Sequence, residues 1–171
     1  MQLQTQRLIL RHPTLQDAAA YTAICNQEFV LRYNAMEKRT QEQVLAALSR
    51  SAEDLRVLVH RETGRVIGEI TIQEDSLRYG VNSREVSYFI DEAFCRQGYM
   101  REALRAVLRY LFDTMALDCI SSRVFSANEA SLALLKSLGF QQNGCIPRYV
   151  KGYGDVIYDD VLHTLFPQDL I

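Results

Sequence analysis

"EVSYFIDEAFCRQGYMREALRAVLRYLF", residues 85–112, changes its hydrophobic period once, and that change decides the fold. The stretch begins with "EVSYFI" (85–90), whose Val, Tyr, Phe and Ile content reads as a strand. Met100, Ala103, Leu104, Val107, Leu108, Leu111 and Met115 then recur at the spacing of an amphipathic helix. Between the two lies a polar run holding one glycine, Gly98. A helix N-terminus presents unpaired N–H groups and about half a positive charge, which favours a bound anion. Gly98 lets the backbone approach a ligand closely or take a positive φ, and Arg96 and Arg101 add charge beside it. Taken alone, the run fits equally well a plain strand-to-helix connection with solvated arginines. Neither GxxxxGK[ST] nor GxGxxG is present, which argues against a P-loop or a dinucleotide fingerprint.

Outward from this segment the chain alternates between the two periods. Downstream, "CISSRVF" (119–125) reads as a strand, and "NEASLALLKSLGF" (128–140) as a helix with Asn128 at its N-cap and Gly139 just past its end. "VIYDDVLHTLF" (156–166) reads as a last strand. Upstream, "LRVLVH" (55–60) and "RVIGEITIQ" (65–73) are strands joined by the turn "RETG", and "SREVSYFI" (83–90) is the third of this sheet. "RLILR" (7–11) is the first strand, and "TLQD" (14–17) opens a helix to about Cys25 through a variant capping box. "TQEQ" (40–43) repeats the device for a helix from Thr40 to Ser51. Residues 26–39 have no clear period and read as a helix continuation or a mobile loop. The expected order is βαα, three strands, then αβαβ, in one mixed α/β (α+β) domain over 1–171.

A chain of 171 residues buries about 70% of its unfolded surface when folded as one domain. Apolar residues make up 48%, charged residues 23%, and the net charge is −2, so there is no basic footprint for direct nucleic-acid binding. Leu8, Ile9 and Leu10 are too short an apolar run for a signal core, and no later stretch approaches a membrane span. The cysteines Cys25, Cys95, Cys119 and Cys145 form no CxxC pair, and His12, His60 and His163 are isolated, so no metal is expected. The expected setting is the cytoplasm with reduced thiols.

Asn128 and Ser131 sit one helical turn apart, where they serve as cap and first-turn residue or as hydrogen-bonding groups for a ligand. Glu69 and Glu85 lie within strands, as solvent-facing residues or as a general base. Phe29, Tyr33, Tyr149 and Tyr153 line a pocket or belong to the core.

In combination these blocks resemble the GNAT superfamily of acetyl-CoA-dependent N-acetyltransferases, above all its RimJ/RimL-like group, over almost the whole chain. "TQRLILRHPTLQDAAAY" (5–21) is similar to that group's opening strand and helix, and "EVSYFIDEAFCRQGYMREAL" (85–104) to its acetyl-CoA segment. "NEASLALLKSLGF" resembles its Asn-x-x-Ser helix, and "YVKGYGDVIYDDVL" (149–162) its closing segment. The group's loop pattern is Gln/Arg-x-x-Gly-x-Gly/Ala. Gly98 holds the central glycine, while Cys95 and Met100 replace the first and last positions, and Arg148 stands where some members have a glutamate base.

The resemblance implies a central mixed, mostly antiparallel twisted sheet, splayed between the 85–90 and 119–125 strands and flanked by helices. It implies acetyl-CoA as cosubstrate, its pyrophosphate cradled by the amides of Arg96, Gln97, Gly98, Tyr99, Met100 and Arg101. The pantetheine then lies along main-chain groups near Phe89 and Ile90 and is held by Asn128. Ser131 protonates the departing thiolate, and Glu69 or Glu85 is the candidate base. No GxSxG nucleophile elbow is present, in keeping with direct attack of an amine. The expected acceptor is a protein N-terminus of the ribosomal-protein kind, with the enzyme a monomer or homodimer. The alternatives are a small-molecule amine (polyamine, aminoglycoside or amino-acid-like) or a non-catalytic acyl-CoA-binding regulator, with a purely structural interaction module ranked last.

Overall fold

The computed structural model describes residues 1–34, 37–50 and 54–171. One eight-stranded sheet runs β1-β2-β3-β4-β5-β6-β8-β7. Its strands are β1 (Leu3–Gln4), β2 (Leu8–Arg11), β3 (Leu55–His60), β4 (Val66–Glu74), β5 (Ser83–Ile90), β6 (Cys119–Phe125), β7 (Gln141–Lys151) and β8 (Ile157–Leu165). Its helices are α1 (Ala18–Cys25), α2 (Glu28–Arg32), α3 (Gln41–Arg50), α4 (Tyr99–Asp113) and α5 (Glu129–Ser137). Neighbours are antiparallel except β5 and β6, which are parallel and joined through α4, the crossover that a parallel pair requires.

The period of two along the strands sorts side chains into two cores. Leu8, Leu10 and Leu58 face α4 and α5, where they meet Leu104, Leu108, Leu111 and Leu135. Val57, Val59 and Val66 face the other way, onto Tyr21, Ile24, Val44 and Leu48 of α1 and α3. β3 is buried along its whole length, Arg56 and His60 included. Among the described residues no helix is long and apolar enough to cross a membrane.

Local signals act where the sequence places them. The Asp17 carboxylate accepts from the Thr14 amide at 2.7 Å and ahead of α1 pairs with Arg11. Thr40 and Gln43 exchange reciprocal side-chain bonds at the start of α3. Its far end at Ser51 lies outside the described residues. Past α5, Gly139 at φ 97 closes a Schellman motif, with Phe140 N–H donating to Leu135 O and Gly139 N–H to Lys136 O, both 3.1 Å.

Three readings need correction. The unpatterned 26–39 stretch contains a short helix, α2, whose Val30 and Leu31 are buried; Ala35 and Met36 lie outside the described residues. Met115 does not continue the α4 stripe: the helix ends at Asp113, Met115 is exposed, and Leu117 takes the core position instead. The strand β7 is absent from the sequence reading altogether. It is an edge strand paired only with β8, none of its residues is fully buried, and Pro147 sits in a register break between Ile146 and Val150.

Gly68 is the backbone's tightest point near the later site. It follows a bulge at Leu58/Val59, and a Cβ there would lie 2.4 Å from the Phe89 carbonyl oxygen. Gly68→Ala therefore has to displace β5, at a cost of about 1–3 kcal/mol. Thermal denaturation should show a melting temperature lowered by roughly 2–10 °C, with weaker CoA binding; an unchanged melting curve would mean that β5 yields freely.

Candidate active site

Parallel pairing between β5 and β6 lasts only three residue pairs, Ser83↔Cys119, Arg84↔Ile120 and Glu85↔Ser121. Beyond them the strands part. The Ser122 hydroxyl donates to the Val86 carbonyl at 2.9 Å, in the crotch of the fork. Because Val86 O faces β6 while the Asp91 N–H bonds Ile67 O on β4, alternation turns the main-chain groups of Tyr88 and Ile90 into the gap. Those of Phe89 pair with β4, and only its side chain borders the gap. The fork opens into a cleft of about 450 Å³. Its walls include Tyr88, Phe89, Ile90, Val124 and Phe125, with Phe29, Tyr33 and Asn34 at the α2 end.

The loop that follows β5 forms one side of the cleft. Gly98 caps α4 at φ 80, a left-handed conformation that disfavours any Cβ, and Arg96 at φ 58 shares it. The Glu102 N–H makes an α-helical bond to Gly98 O, so the amides of the preceding first turn have no partner within the helix. Backbone donors so arranged make a candidate anion cradle. Met100, which replaces a small residue of the family pattern, turns its side chain into the main core while bordering the cleft. Burial, with Glu92 and Asp91 nearby, pushes the Cys95 thiol up, so it adds no charge to the loop.

What holds the cradle comes from the other end of the chain. Arg7 pairs with Glu102 at 2.7 Å, donates from Nη1 to Gln97 O at 2.9 Å, and lies 4.1 Å over the Tyr99 ring. The Tyr99 hydroxyl in turn meets His60 Nε2 at 3.1 Å. Glu102 also accepts from the Thr5 hydroxyl; despite desolvation, Thr5 and Arg7 hold its carboxyl below the usual range. The carboxylate at this helix mouth is thus neutralised rather than left to repel a phosphate. Sequence reading missed this clamp, because nothing in Arg7 as a strand residue announces it.

The remaining candidates divide between cleft and interior. Asn128 and Ser131 border the cleft, Asn128 Oδ1 accepting from the Ser131 N–H at 3.2 Å. Ser131 Oγ lies 2.6 Å from the Tyr88 hydroxyl, a partner the sequence did not point to. Arg101 leans on Ser137 at the end of α5, and the Gln97 side chain donates back to Ala93 O. Glu85 is buried and ion-paired with Arg123 at 3.0 Å, and Arg123 also faces Asp160 at 3.7 Å. Glu69 is buried beneath α1, where the Tyr21 and Thr71 hydroxyls donate to it, and burial pushes its carboxyl up to about 7. Neither glutamate borders the cleft. Of the aromatic candidates, Phe29 and Tyr33 line it; Tyr149 stands 5.9 Å from the Arg123 guanidinium, and Tyr153 lines a separate polar hollow.

A forked sheet with free main-chain groups on one prong and an amide cradle at the adjoining helix mouth defines an acyl-CoA-dependent transferase architecture. The chain belongs to the GNAT acetyltransferase family: residues 7–141 match the family model described as "Acetyltransferase (GNAT) domain". It is an N-acetyltransferase of that family. It is 32% identical to the uncharacterized N-acetyltransferase YoaA of Bacillus subtilis (strain 168), over 98% of both chains. Its fold is similar to that of the ribosomal-protein-S5-alanine acetyltransferase of Vibrio fischeri, with a TM-score of 0.83, 20% identity and coverage of 100% and 99%. It is similar too to Mycobacterium smegmatis RimJ, solved in complex with CoA-disulfide, with a TM-score of 0.80, 22% identity and coverage of 95% and 83%.

Two outcomes are expected. Gly98→Ala places a Cβ at a left-handed φ, 3.4 Å from the Arg7 guanidinium, for about 1–2 kcal/mol of strain. Calorimetry should show CoA affinity reduced several-fold; equal affinity would separate the glycine from the cradle. Glu69 binds its proton more tightly folded than unfolded, so its contribution to stability is full below its ordinary pKa and is lost as pH rises towards about 7. Glu69→Gln should flatten that fall, melting higher than the parent at about pH 8 and similarly at about pH 5. Parallel pH–stability curves would place the carboxyl outside this linkage.

Proposed function

We propose that the protein transfers the acetyl group of acetyl-CoA to the α-amine of a peptide or protein N-terminus by direct attack. The observation that carries this reading is the cleft lining, which among the described residues contains Arg96, Arg101 and Arg123 but no carboxylate. A polyamine or aminoglycoside acceptor calls for acidic partners at the site. An α-amine, with pKa of about 7.7–8.0, is already partly neutral near neutrality and needs no strong base. The V. fischeri neighbour's name, a ribosomal-protein alanine acetyltransferase, supports the same class of acceptor.

In this reading the amides of the 96–101 loop hold the CoA pyrophosphate, with Arg96 and Arg101 adding charge. Asn128 and the gap-facing groups of Tyr88 and Ile90 hold the pantetheine beside the Phe89 ring. A β5 N–H polarises the acetyl carbonyl and stabilises the tetrahedral oxyanion, a contribution typically worth about 3 kcal/mol. Ser131 presents its O–H to the thiolate that leaves. Glu69, its carboxyl near 7, has the proton affinity to take, through water, the proton that the acceptor ammonium loses before the neutral amine attacks, whereas Glu85 is committed to Arg123.

Calorimetric titration with acetyl-CoA, CoA and ATP should give binding of the first two and none of ATP. Thiol release should follow with a peptide bearing a free N-terminal alanine and stop when that amine is blocked. Turnover of spermidine with none of the peptide would overturn the acceptor class, and absence of CoA binding would overturn the site.

A further inference from the structure

Hydroxyl residues inside these helices spend their protons on the backbone. Thr22 donates to Ala18 O at 2.6 Å, Ser49 to Leu45 O at 2.9 Å, and Ser137, in the same helix as Ser131, to Leu134 O at 2.8 Å. Such back-bonding is the usual fate of a helical Ser or Thr hydroxyl. Ser131 departs from it. Its Oγ meets only the Tyr88 hydroxyl among the described residues, at 2.6 Å across the fork from β5.

We propose that Tyr88 is a positioning residue for acetyl transfer: its phenol donates to Ser131 Oγ, which leaves the Ser131 proton free to point into the cleft at the thioester sulfur. This rests on the reading of Ser131 given above. Two arguments set the direction of the bond. A phenol is the more acidic hydroxyl and an alkyl hydroxyl the better acceptor, so the pair is favoured with Tyr88 as donor. Among the described residues Ser131 Oγ is also the sole partner of the Tyr88 hydroxyl, so the reverse arrangement would strand the phenol proton in a desolvated place. Ser131, on the cleft wall, has the sulfur to turn to.

The Tyr88 ring packs against the main core, which holds its hydroxyl in place from the β5 side. Burial pushes the phenol's ionisation upward, so Tyr88 stays a hydroxyl through the reaction. Once the amine nitrogen has bonded to the acetyl carbon, the tetrahedral oxyanion re-forms its carbonyl, the C–S bond breaks and that bond's electron pair passes to sulfur. The Ser131 O–H stabilises that thiolate by a charge-assisted hydrogen bond. The attacking nitrogen gives its extra proton to water and the sulfur takes one from water as CoA leaves, so both hydroxyls keep their own.

The test needs CoA alone, with no acceptor. The ultraviolet absorbance of the thiolate is followed against pH for CoA bound to the parent, Tyr88→Phe, Ser131→Ala and the double variant. The bound thiol should titrate about one pH unit lower in the parent than in Ser131→Ala, as hydrogen bonding to the charged form dictates. Tyr88→Phe should move upward with Ser131→Ala, and the double variant no further. A Tyr88→Phe complex that titrates like the parent while Ser131→Ala shifts would overturn the role of Tyr88. No shift in Ser131→Ala would instead remove Ser131 from the sulfur, and the inference with it. Should Tyr88→Phe melt early, fluorotyrosine at position 88 keeps ring and hydroxyl but strengthens the donor. It should lower the titration, and an unmoved one would count against Tyr88.

Discussion

Three residue pairs of parallel ladder between β5 and β6 are the constraint on which the rest of the site depends. A strand pair that continued to Ile90 and Phe125 would satisfy its own N–H and C=O groups and leave no place for a ligand. Stopping at Glu85↔Ser121 exposes main-chain donors and acceptors along one prong. Unpaired backbone groups cost free energy unless water or a ligand meets them. The protein holds the fork open from several sides at once. Ser122 bonds Val86 O in the crotch, the Glu85–Arg123–Asp160 group ties β5, β6 and β8 together, and Tyr88 reaches Ser131 on the far wall. Glu85 is therefore best understood as part of the hinge of the fork.

The cradle depends on the same strand by a different route. Leaving β5 at Asp91, the chain must turn and enter α4 within a few residues, and Gly98 and Arg96 take left-handed conformations to do so. The loop's own bonds, Phe94 N–H to Asp91 O, Cys95 N–H to Glu92 O and the Gln97 side chain to Ala93 O, reach back towards β5 and leave the helix mouth to other partners. Arg7 supplies what is missing by touching Glu102, the Gln97 carbonyl and the Tyr99 ring together. One guanidinium thereby couples the first part of the chain to the helix mouth, which explains why the opening strand belongs to the working unit.

The buried skeleton of this arrangement is legible in the sequence, because burial imposes period. Leu8–Arg11, Leu55–His60, α4 and α5 announce themselves through alternation, helical spacing and caps. The cleft loop is legible only in combination, since Gly98 between a strand and a helix fits a plain connection equally well and takes its meaning from the blocks around it. What escapes is whatever is held by partners distant in sequence or buries little. The exposed edge strand β7 has no apolar face to betray it, and its Pro147 argues locally against a strand. Tyr88 alternates with Phe89 and Val86 as any strand residue would; only the fold brings it to Ser131. Glu69 and Glu85 look alike as strand carboxylates, and their difference is one of partners: two hydroxyls for the first, an arginine for the second.

That difference bears on how little chemistry the site has to perform. Direct attack on a thioester demands a neutral amine, a polarised carbonyl and a stabilised thiolate. In the proposed mechanism the second comes from a β5 backbone dipole and the third from one hydroxyl. Only the first calls for a titrating group. A carboxylate committed to an arginine, as Glu85 is to Arg123, is held by that partner inside the sheet and not presented to the amine. A carboxyl raised towards 7 by burial has more affinity, yet reaches the cleft only if water connects it. An acceptor whose amine is partly neutral at working pH relaxes this last demand. On the proposed reading, an arginine-bearing cleft with no carboxylate among the described residues suits an α-amine better than a lysine side chain near pKa 10.4 or a polycation.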